Sequence, residues 1–86
     1  MTKAGLIKEV FKKCYFITTH SKCVVFFNYN AHVSGYDVYY YLNGWSRQSD
    51  SIWLDSSSYI SYSNLKRTLE ELDKLWELIV ENNLNN

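Results

Sequence analysis

The side chains able to do chemistry in this chain are few and scattered. Cys14 and Cys23 are the only thiols, and His20 and His32 the only imidazoles. A nucleophile needs a base held beside it, and the one pairing on offer is Cys14 with His20 or His32. Cys14 lies in an apolar stretch where it reads as a core residue, and both histidines fall in expected turns. The same four residues are the only candidate zinc set, but the spacings C-x8-C and H-x11-H match no usual zinc pattern. Two cysteines are too few for a disulfide framework. The only glycines are Gly5, Gly35 and Gly44, so there is no glycine-rich phosphate loop. The residues therefore point to no catalytic site, no metal and no cofactor.

Charge offers a second chemistry. Net charge is zero over 86 residues, but it is unevenly spread. Lys3, Lys8, Lys12, Lys13 and Lys22 stand against Glu9 at the start, and both later stretches carry an acidic excess. A basic N-terminal helix carrying Lys8, Lys12 and Lys13 could contact phosphates, as nucleic-acid-binding proteins do. The competing reading is a solvated helix face, since such domains usually carry a clear basic excess overall.

The elements that position these residues are those of one α+β domain spanning residues 1–86. Apolar content of 47% and aromatic content of 17% suit a packed core and exclude a disordered chain. A helix is expected from about Thr2 to Lys13, capped by Thr2, with Leu6, Ile7, Val10, Phe11 and Cys14 on one side. Residues 14–19 read as a β-branched and aromatic strand, followed by a turn at His20–Lys22. Residues 23–29 read as an interior strand, apolar on both faces. A turn over 30–35 leads to a strand over 36–42. Asn43-Gly44 signals a tight hairpin. The return strand starts at Trp45, turns polar over 46–50 and resumes over 51–54, before a serine loop at 56–58. The last helix runs from about Asn64 to Glu81, with Ser63 as its cap and Leu65, Leu69, Leu72, Trp76, Ile79 and Val80 as its apolar stripe. The tail from Asn82 is expected to fray. Three or four antiparallel strands with both helices on one face follow from this order.

That arrangement exposes an aromatic surface. With Val38, Tyr40, Leu42, Ile52 and Leu54 turned toward the helices, Tyr39, Tyr41 and Trp53 face away, and Phe27 and Tyr29 are placed with them. Tyrosine and tryptophan are enriched at protein interfaces because each joins a large apolar body to a polar handle. The surface fits a separate protein partner, a homodimer, or burial by curling of the sheet. Leu75 and Leu78 widen the apolar sector of the last helix, as a core edge or as a dimer contact. No apolar run suggests a signal peptide or membrane span, so a cytoplasmic, membrane-free protein is expected.

Two resemblances bear on function. The helix, three strands, helix order resembles that of the double-stranded-RNA-binding domain, whose second helix starts with a basic cluster. Here that stretch holds only Lys66 and Arg67 before Glu70 and Glu71. Separately, Gly35-Tyr-Asp-Val-Tyr-Tyr-Tyr-Leu-Asn-Gly-Trp45, a polar segment, a short strand and a leucine-rich final helix are similar to small phage and mobile-element proteins of low-GC Gram-positive bacteria. That group includes anti-CRISPR inhibitors. The resemblance implies a non-enzymatic protein that binds and blocks a defence nuclease of the host cell. The neutral charge departs from inhibitors that imitate DNA, so blocking would be steric or allosteric. The alternatives are a nucleic-acid-binding accessory protein using Lys8, Lys12 and Lys13, or a homodimeric structural protein.

Overall fold

The computed structural model describes residues 2–30, 34–44, 51–57 and 60–84. His32, Trp45–Asp50 and Ser58 lie outside them. Among the described residues the order is α1 (Lys3–His20), β1 (Val24–Asn30), β2 (Gly35–Tyr41), β3 (Ile52–Ser57) and α2 (Tyr62–Glu81).

Helix α1 begins where Thr2 was expected to cap it: the Gly5 N–H donates to Thr2 Oγ1 at 3.0 Å. It does not end at Lys13. Residues 14–19, expected as a strand, form its last turns. Leu6, Val10, Cys14 and Ile17 make one buried stripe at three- and four-residue spacing. Ile17, Thr18 and Thr19 each cost a helix only a few tenths of a kcal/mol relative to the best helix formers. Burying Ile17 returns about 1.5–3 kcal/mol, so packing overrides strand propensity. The threonine hydroxyls also find partners. Thr19 Oγ1 donates to the Tyr15 carbonyl at 2.9 Å, and Thr18 Oγ1 accepts from the Val25 N–H at 3.0 Å. Ser21, just past the helix, donates to the Ile17 carbonyl at 2.6 Å and accepts from the Cys23 N–H at 3.1 Å.

The sheet is antiparallel, in the order β1-β2-β3. β1 pairs with β2 through Val25↔Tyr40, Phe27↔Val38 and Tyr29↔Tyr36. β2 pairs with β3 through Tyr40↔Ile52 and Tyr39↔Trp53, with a bulge after which Val38 meets Asp55. The bulged residue, Leu54, packs against the core. This register corrects the tight-hairpin expectation. Asn43-Gly44 does turn, with Gly44 at φ 94° and its N–H donating to the Tyr41 carbonyl at 3.3 Å. A two-residue hairpin there would pair Tyr40 with Arg47, yet Tyr40 meets Ile52. β3 also runs through Ser56 and Ser57, which were expected as loop.

Helix α2 is capped by Ser61 rather than Ser63: the Asn64 N–H donates to Ser61 Oγ at 3.1 Å. Its buried stripe is Leu65, Thr68, Leu72, Leu75 and Ile79, while Val80 is exposed. Leu75 thus belongs to the core and Leu78 is exposed. The tail does not fray at once. Asn83 adopts φ 56°, its N–H reaches the Val80 carbonyl, and the Leu84 N–H reaches that of Ile79. These are the paired bonds of a Schellman motif, with asparagine at the left-handed position. The Leu84 side chain packs against the core and its carbonyl accepts from the Lys22 N–H at 3.0 Å.

Both helices lie on the sheet face that carries Val25, Tyr36 and Val38. Thr18 ties α1 to β1. Tyr36 Oη and Thr68 Oγ1, both fully buried and 2.7 Å apart, tie β2 to α2. Phe16 meets Trp76 edge-on at 5.0 Å, and Lys13 pairs with Asp73 across the helices. No described helix is long and apolar enough to cross a membrane.

Candidate functional site: the open aromatic face of the sheet

The face opposite the helices is set by strand alternation. Residues paired directly across an antiparallel ladder share a face. Tyr39 and Tyr41 of β2 therefore share the open face with their partners on β1, Phe26 and Val24, and with Trp53 of β3. Asn28 and Asp37 form the next pair along that face.

The rings form one connected cluster. Tyr39 stacks on Phe26 at 5.1 Å and meets Trp53 at 5.1 Å in a tilted contact. Tyr41 lies edge-on to Phe26 at 5.7 Å and to Tyr39 at 6.4 Å. Such contacts contribute about 0.5–1.5 kcal/mol each beyond area burial, so the rings hold one another in place with neither helix over them. Asn28 Nδ2 donates to the Tyr39 hydroxyl at 3.2 Å, fixing that ring further. Trp53 remains 60% exposed, while Phe26, Tyr39 and Tyr41 are partly buried by one another. Asp37 is the only ionisable acid or base among these seven side chains, apart from the phenols.

Two expected members do not belong to the cluster. Phe27 and Tyr29 pair with Val38 and Tyr36, so they lie on the helix side of the sheet. Phe27 packs against the core and stacks on Tyr36 at 5.8 Å. Tyr29 is 54% exposed at the strand's end. Phe26 and Val24 take their place. The residues 23–29 are apolar on both faces, so hydrophobicity could not set the parity. Asn28 could have: a lone amide in mid-strand belongs on the open side and takes Phe26 and Val24 with it.

Among the described residues the other candidate chemistries are not assembled, and the pairing of Cys14 with His32 lies outside them. Cys14 and His20 are six positions apart in the helix, which puts them about 120° apart around α1 and about 9 Å apart along it. Burial pushes the Cys14 thiol up to about 12 and the Cys23 thiol up to about 11. His20 is exposed, stacked on Phe16 with Nδ1 2.9 Å from the Phe16 carbonyl. Among the described residues no three His, Cys, Asp or Glu side chains gather as a metal set. Of the three basic candidates, Lys12 pairs with Glu9 at 3.3 Å and Lys13 with Asp73, leaving Lys8 without an ion-pair partner among the described residues. Compared with known protein families, curated proteins and solved structures, the chain shows no match.

Proposed function

We propose that this chain is a non-enzymatic protein-binding module, with the open face of the sheet as its contact surface. The observation that carries the reading is the ring cluster of Phe26, Tyr39, Tyr41 and Trp53, preassembled on the face that neither helix covers. Rigid aromatics lose little conformational freedom on docking, and a buried Trp or Tyr is the commonest kind of interface hot spot. The near absence of charge among the described residues of this face favours a protein surface over single-stranded nucleic acid, which needs a basic groove beside its stacking rings. The resemblance of residues 35–45 to small phage and mobile-element proteins supports a narrower version, in which the partner is a defence nuclease of the host cell. The module would inhibit by occupying a surface that the nuclease needs.

The test is affinity capture from lysate of a Gram-positive host, with and without nuclease treatment, by the natural chain and by Tyr41→Ala and Trp53→Ala combined. Far-UV circular dichroism establishes that both are folded. The proposal requires a stoichiometric protein retained by the first and lost from the second. Equal retention by both moves the contact elsewhere, and capture that vanishes with nuclease treatment favours nucleic acid.

A further inference from the structure

With residues 14–19 helical, β1 is an edge strand, and α1 overhangs that edge. The flank of α1 turned away from α2 carries Ile7, Phe11 and Tyr15. Phe11 is 60% and Tyr15 65% exposed, unusual for two large rings one helical turn apart. Between this flank and β1 lies an apolar hollow of about 430 Å³, lined by Ile7, Lys8, Phe11, Lys12 and Phe27. A second hollow, also lined by Phe11 and Phe27, continues it past Tyr15 to Thr18 and Val25.

The backbone beside this ledge is ready to pair. In an antiparallel ladder, alternate residues direct both N–H and C=O away from the partner strand. Val25 is one of these, because its N–H leaves the ladder to meet Thr18 Oγ1. Phe27 and Tyr29 follow in the same phase, and their N–H and C=O groups face the hollow side with no partner among the described residues. β1 itself contains no charged residue and no proline, the usual guards of an edge. An incoming strand would pair with Phe27 and Tyr29 and rest alternate side chains against Phe11 and Tyr15, as in strand addition elsewhere.

Charge selects the occupant. α1 holds Lys3, Lys8, Lys12 and Lys13 against Glu9, and Lys8 and Lys12 line the hollow. A second copy meeting this edge about a two-fold axis would bring the two lysine-rich helices together, so self-pairing is disfavoured. We infer that the β1 edge beneath α1 is a second docking site, which takes an extended segment of a partner protein, apolar at alternate positions and ending in acidic residues. This site is separate from the open aromatic face and stands or falls independently of it.

The probe is a capped synthetic nonapeptide alternating valine with threonine and ending in two glutamates, compared with the same peptide ending in two lysines. Each is titrated into the ¹⁵N-labelled full chain at low salt. The glutamate peptide is expected to bind about fivefold more tightly, the effect of two exposed ion pairs. Its shifts should concentrate on the amides of Phe27 and Tyr29 and largely spare Tyr39 and Trp53. Lys8→Glu with Lys12→Glu, both on the exposed face of α1, should reverse the preference. Tyr29→Pro, which deletes one edge N–H, should weaken both peptides while circular dichroism reports a folded chain. Equal affinity for the two peptides, binding too weak to detect at about 1 mM, shifts centred on Trp53, or Phe27 and Tyr29 amides protected by self-association would each overturn the inference.

Discussion

Ile17→Ala and Tyr15→Ala separate a helical from a strand-like residue 14–19 segment, because the two geometries group these residues differently. In a strand Tyr15 and Ile17 share a face, and removing either costs a similar amount. In α1 they lie about 160° apart, Ile17 2% exposed in the core and Tyr15 65% exposed on the flank. Truncating a buried isoleucine costs about 2–5 kcal/mol, less a few tenths regained because alanine is the better helix former. A net loss of about 3 kcal/mol lowers Tm by about 12–24 °C in a domain of this size. Tyr15 has only about a third of its surface covered, on the order of 70 Å², worth about 1.7 kcal/mol at most. Helix propensity returns about 0.5 kcal/mol, leaving about 1 kcal/mol. Thermal unfolding followed at 222 nm measures both. Equal losses for the two variants would refute the helical account, and with it the exposed edge of β1.

Three other perturbations test separate parts of the fold. Asn83→Val places a β-branched residue at φ 56° and should cost about 1–2 kcal/mol in urea unfolding, whereas Asn83→Gly should be neutral or mildly stabilising. Tyr36→Phe deletes the hydroxyl that meets Thr68 at 2.7 Å and should cost about 1 kcal/mol, with no change in the aromatic face as read by its nuclear Overhauser contacts. Both thiols have folded pKa values raised above the ordinary 9.0. The stability tied to keeping them neutral is therefore fully present below pH 9.0 and lost as pH rises through about 11 and about 12. Burial raises the Tyr40 phenol in the same sense. Tm should accordingly fall above that threshold, and a disulfide reagent at neutral pH should label both cysteines only after unfolding.

The elements that could be read from sequence were those whose local and tertiary signals agree. The α2 stripe has a strong helical period and the 36–42 run alternates, so both stood out, and Tyr39, Tyr41 and Trp53 followed onto the open face. Where the signals conflict, packing decides. The Cys14–Thr19 run is strand-like in composition, yet Cys14 and Ile17 extend the Leu6–Val10 stripe and are buried against α2 and the sheet. Asn43-Gly44 does turn, but local chemistry cannot specify that β2 pairs with a strand starting at Ile52. Phe27 and Tyr29 lie on the helix side, against expectation, because a strand apolar on both faces leaves its parity to its asparagines, Asn28 and Asn30. The Schellman turn at Asn83 depends on Leu84 finding the core and the Lys22 N–H, contacts distant in sequence that no local pattern announces.

The most direct measurement of the central claim is the dissociation constant of the captured partner for the natural chain and for Tyr41→Ala with Trp53→Ala, by titration calorimetry at matched salt. Loss of two central ring contacts should weaken binding by about 30-fold or more, the equivalent of at least 2 kcal/mol. Lys13→Ala, on the helix side, should leave it within about twofold. Unchanged affinity in the double aromatic variant would contradict the account and remove the open face as the contact surface.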